Sequence, residues 1–88
     1  MTKSQTEKLV NYLSAFEFLY RADRHAVKSI LTVYNFDHGT DHKAAQSFEQ
    51  LAVKLVEEEG LLEEVVQQSK KLILDKTVQT EFLTRLKS

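Results

Sequence analysis

Residues 44–74 read AAQSFEQLAVKLVEEEGLLEEVVQQSKKLIL, and the spacing of their apolar positions decides the fold class. Ala44, Ala45, Phe48, Leu51, Ala52 and Leu55 recur at three- and four-residue intervals. That spacing puts them on one face of an α-helix. Past Gly60 a second stripe follows, Leu62, Val65, Val66, Leu72 and Ile73, and its angular phase nearly continues the first. Glycine favours a stop there, whereas Glu57, Glu58 and Glu59 would sit unfavourably at a helix carboxyl end and favour continuation. The reading adopted is a break at Gly60, with one long helix bent at Gly60 as the alternative.

Upstream, residues 35–41 interrupt the periodicity with Asn35, Asp37, Gly39 and Asp41, residues that tolerate left-handed backbone or bond their own main chain. They predict a loop, after which Thr40 or Asp41 caps the third helix. Before that loop Val27, Ile30, Leu31 and Tyr34 share one helix face, with Asp23 as the cap. His25, Lys28, Ser29 and Thr32 share the other. A first helix starts at Ser4, with Glu7 completing a capping box, and carries Leu9, Tyr12, Leu13, Phe16, Leu19 and Tyr20 on its stripe. Phe18 falls on the side opposite Leu9. At the far end, Asp75 or Thr77 caps a last helix bearing Val78, Phe82, Leu83 and Leu86.

The expected fold is therefore all-α, a compact bundle of five short amphipathic helices, or four if Gly60 only bends one. Proline is absent and glycine occurs only twice, which removes the residues that hairpins use to turn. At 88 residues the chain has material for one hydrophobic core, so residues 1–88 are expected to form a single domain. Phe16, Phe48, Leu51, Leu55, Val66 and Phe82, each near the middle of its stripe, are the expected centre of that core.

Composition narrows the function classes. Cysteine is absent, which excludes disulfides, thiolate metal sites and thiol nucleophiles and suits a reducing, cytoplasmic setting. No signal-like segment or apolar run of membrane-spanning length is evident. The net charge is −1, with five basic and three acidic residues up to position 36 and seven basic and ten acidic ones beyond it. Neither part has the dense basic stripe that a phosphate backbone attracts, so nucleic acid is disfavoured as a partner. Arg21, Arg24 and Lys28 are the only candidates for a helical DNA reader.

Three groups of side chains invite a chemical role. Asp37, His38, Asp41 and His42 carry metal-ligating atoms, but their spacing around Gly39 matches no metal motif, and a plain loop with no metal is expected. Glu57, Glu58, Glu59, Glu63 and Glu64 read as a solvated acidic face, with no other catalytic group tied to them. The third group is His25, Val27, Lys28 and Ser29, followed by Tyr34, Asn35 and Phe36.

This third pattern resembles the phosphoacceptor helix of histidine phosphotransfer domains. The resemblance implies His25 as an exposed nucleophile toward an acyl phosphate and Lys28, one turn on, as the cation that steadies the phosphoryl oxygens. The chain departs from that family in two respects: Ile30 and Leu31 stand where small residues usually admit a receiver domain, and only one helix precedes His25. A solvated helix face containing a histidine is the plainer reading and the one adopted.

No phosphate-cradling glycine loop, serine-nucleophile motif or dinucleotide fingerprint occurs, so no catalysis, cofactor or small-molecule substrate is expected. What remains is a small non-catalytic helical module, a regulator, adaptor or inhibitor that binds another protein or itself. Its candidate contact residues are the apolar side chains off the core stripes, Phe18, Val33, Val53 and Leu74. The alternatives are a phosphotransfer-like carrier using His25 and Lys28, and a helical DNA-binding regulator.

Overall fold

The computed structural model describes residues 1–38 and 45–87, the side chains of residues 37 and 38 excepted. The described residues form five helices and no strand: α1 (Lys3–Ala22), α2 (Arg24–His38), α3 (Phe48–Glu57), α4 (Leu61–Leu72) and α5 (Lys76–Lys87). This is the all-α bundle that the apolar periodicity predicts.

Each helix start has an identifiable cause. The Thr2 hydroxyl accepts the Gln5 amide at 3.1 Å and the Gln5 side chain accepts the Thr2 amide at 2.8 Å, a reciprocal box. It lies two residues before the expected Ser4 and Glu7 pair, because Thr2 with Gln5 satisfies the same rule one half-turn earlier. Asp23 Oδ1 accepts the Ala26 amide at 3.1 Å and so opens α2, as expected. Asp75 Oδ1 takes the amides of both Thr77 and Val78, at 2.9 and 3.1 Å, and opens α5.

Two boundaries differ from the sequence expectation. The third helix begins at Phe48, where the Ser47 hydroxyl accepts the Gln50 amide and Ser47 is extended, with φ −146°. Ala45 is buried but precedes the helix. The expected caps Thr40 and Asp41, with Gly39, His42 and Ala44, lie outside the described residues. The second helix runs on through Asn35 and Phe36 to His38, so part of the expected loop is helical. Tyr34 is fully buried, and anchoring of that turn in the core outweighs the weak helix preference of Asn35 and Asp37.

Gly60 separates α3 from α4. Its φ of +88° lies in the left-handed region that ends helical hydrogen bonding, so the chain breaks there and five helices result.

The longest helix, α1 at 20 residues, packs against α2, α3 and α5, while α2 also packs on α4. A helix with neighbours on several sides buries more than one stripe. Tyr12, Ala15, Phe16 and Leu19 are buried, and Phe18 is half-buried against the core rather than turned away from it. The Phe16 ring meets Phe82 of α5 edge-on at 5.4 Å and stacks on Phe48 of α3 at 6.3 Å. Leu51, Leu55, Val66 and Phe82 are buried as expected. Phe48 is only half-buried, because it is the first residue of α3 and its outer edge opens beside Tyr20.

Candidate functional site

The α1 and α5 helices run antiparallel. Arg85, near the end of α5, reaches Ser14 of α1, while the first turns of α5 lie beside Phe18 and Ala22. Between them there lies a groove of about 750 Å³, with Phe18, Ala22 and Val78 as its apolar surface. Thr77 and Thr80 are exposed along it, and Lys76 and Glu81 supply its charges.

Phe18 is held from behind. The Arg85 guanidinium lies over its ring at 4.7 Å, and Arg85 Nε donates to Glu81 at 2.8 Å. On the same side of the ring, Arg21 pairs with Glu17 at 2.9 Å. Both ion pairs are exposed and join residues four apart on one helix, so each adds little stability. The Phe18 ring forms one wall of the groove, packed against the core and stacked beneath the Arg85 guanidinium.

The other predicted contact residues do not join it. Val33 on α2 and Val53 on α3 are half-buried, and Leu74, in the link between α4 and α5, is 88% exposed. None of the three lines the grooves that Phe18 lines. Phe36, which the sequence argument did not single out as a contact residue, is 87% exposed near the end of α2.

His25 and Lys28 are exposed and one turn apart, but His25 is the second residue of α2 and stands in its first turn. Ile30 is fully buried in the core and Leu31 is half-buried against it, as their place on the apolar stripe of α2 predicts, so neither stands beside His25 as a docking surface. Of the basic residues considered for DNA, Arg21 is engaged by Glu17, and the Arg24 guanidinium lies 5.2 Å from the centre of the Tyr20 ring. No group of three His, Asp or Glu residues that could hold a metal occurs among the described residues. The side chains of Asp37, His38, Asp41 and His42, the four residues weighed as ligands, all lie outside what the structure describes.

The acidic corner sits where α3 meets α4. Glu57, Glu58 and Glu59 edge a shallow hollow with Lys8, Tyr12 and Leu62. Its field reaches the core: burial raises the Tyr34 phenol above its ordinary value, and the charges of Glu58 and Glu64 add to that shift. Tyr12 is raised by burial.

Sequence reasoning found Phe18 because it lies off the stripe of α1. It missed Ala22, Thr77, Val78 and Thr80 as parts of the same surface. Phe18 and Val78 are sixty residues apart in the chain, and nothing in a one-dimensional pattern announces that pairing. No helix among the described residues is long and apolar enough to cross a membrane. No protein-family description matches the chain, and no curated protein or solved structure is significantly similar to it.

Proposed function

We propose that the chain is a small non-catalytic interaction module that binds another protein through the groove between α1 and α5, in a reducing compartment such as the cytoplasm. The observation that carries this is the groove itself. A helix pair exposes an apolar surface built around an aromatic ring that is fixed from behind, with hydroxyl and charged groups alongside. Such a surface suits an apolar anchor from a partner, flanked by polar contacts.

The test is affinity capture from the native host with the wild-type chain, Phe18→Asp and Thr80→Arg. Phe18→Asp removes the apolar wall. Thr80→Arg fills the groove from an exposed position without touching the core. A partner held by the wild type and lost with both variants, while Thr80→Arg keeps the wild-type melting temperature, supports the assignment. Capture that survives both variants refutes it.

A second role rests on a separate observation, the shared exposure of His25 and Lys28 on one face of α2. Phosphorylated receiver domains from the same cell, offered to the chain, would transfer acid-labile label to it. Transfer that His25→Gln abolishes would support a phosphoryl carrier. Absence of label on the wild type would refute it.

A further inference from the structure

A second hollow, of about 480 Å³, opens where α1, α2 and α3 meet. Tyr20 and Phe48 form one side, their ring centres 5.7 Å apart. Phe48 also stacks on buried Phe16, so this aromatic side is tied to the core. Val27, buried, and Leu31, half-buried, contribute the aliphatic lining from α2. The volume falls within the roughly 300 to 1,000 Å³ usual for small-molecule sites, and the combination of apolar walls with few charges is also typical of them.

The charges define what fits. Lys28 lines the hollow and, among the described residues, takes part in no ion pair. The Arg24 guanidinium over the Tyr20 ring adds positive potential nearby. Glu49 is the only acidic residue in the lining, and among the described residues it too is in no ion pair. Lys28 with Arg24 nearby outweighs Glu49, so a single negative charge is favoured beside Lys28, and Glu49 opposes any further one.

From this we infer that the hollow binds a small planar aromatic carboxylate. Its ring lies against Tyr20, Phe48, Val27 and Leu31, and its carboxylate faces Lys28. This site is separate from the α1 and α5 groove and does not depend on the interaction role.

The experiment titrates the ¹⁵N-labelled chain with 2-naphthoate, and in parallel with 2-naphthalenemethanol and 2-naphthylmethylamine, which carry the same ring with a neutral or a positive group. Amide shifts with 2-naphthoate should concentrate at Tyr20, Val27, Lys28, Leu31 and Phe48. The carboxylate should bind about threefold or more tightly than the alcohol, with the amine weakest, as expected of one partly exposed ion pair. Lys28→Gln, at an exposed position, should erase that preference and leave the melting temperature unchanged. Equal binding of the three probes by the wild type, shifts centred elsewhere, or a preference that survives Lys28→Gln would each overturn the assignment.

Discussion

Replacing Phe16 by alanine tests the packing on which everything else is mounted. Phe16 is wholly buried in the middle of α1 and touches aromatic rings from both α3 and α5. Truncating a buried phenylalanine costs about 3 to 5 kcal/mol, combining lost transfer energy with the cavity left behind. A chain of this length is stable by roughly 4 to 13 kcal/mol in all, so the loss takes a large share of the total. Phe48→Ala should cost only about half as much, about 1.5 to 2.5 kcal/mol, because Phe48 is half-buried and its outer side already faces water. The assay is urea denaturation followed by far-ultraviolet circular dichroism, comparing midpoints at a common slope. The milder pair Phe16→Leu and Phe82→Leu, which leaves the chain folded, should show coupling of about 0.5 to 1.5 kcal/mol, since the two rings meet edge-on at 5.4 Å. A Phe48→Ala loss as large as that of Phe16→Ala would refute the placement of Phe48 at the edge of the core.

Three further changes probe local features. Gly60→Ala should destabilise by about 1 to 2 kcal/mol through backbone strain alone, because φ is +88° and an added Cβ would meet nothing within 4 Å; thermal melts against Gly60→Asn, which tolerates that conformation better, would check the cause. Asp75→Ala removes the acceptor for two amides of α5 and should cost about 0.5 to 2 kcal/mol, read as a lowered urea midpoint. The Tyr34 phenol is raised above 10.0 in the folded chain, so the unfolded chain loses that proton first. Stability is therefore intact below that value and falls as pH rises through the folded one. Tyr34→Phe should flatten this alkaline loss, measured as the urea midpoint from about pH 9 to about pH 11, and an unchanged alkaline slope would count against the assigned cause.

Much of the fold was legible because helix periodicity and caps are local. Ala52, Leu51 and Leu55 on one stripe, Asp23 and Asp75 as caps, and Gly60 as a break needed only neighbours within a turn or so to be read. The errors had two origins. Tertiary packing overrode local preference where Tyr34 in the core carries α2 through Asn35 and Phe36, whereas at α3 two local caps competed and Ser47, bonded to the Gln50 amide, is the one used. Phe18 was recognised as unusual, but as an outward residue, since no pattern in α1 foretells that α5 will lie across its second face. The groove it helps to form depends on how two helices distant in sequence pack together, and hydrophobic spacing carries no information on that.

The most direct measurement is amide hydrogen exchange of the chain alone and with its captured partner bound. The slowing expected on binding is confined to residues 14–22 of α1 and 76–81 of α5, the two sides of the Phe18 groove. Protection that instead falls on residues 57–64 at the acidic corner, or leaves both sides of the groove unchanged, would contradict the assignment of that groove as the docking surface.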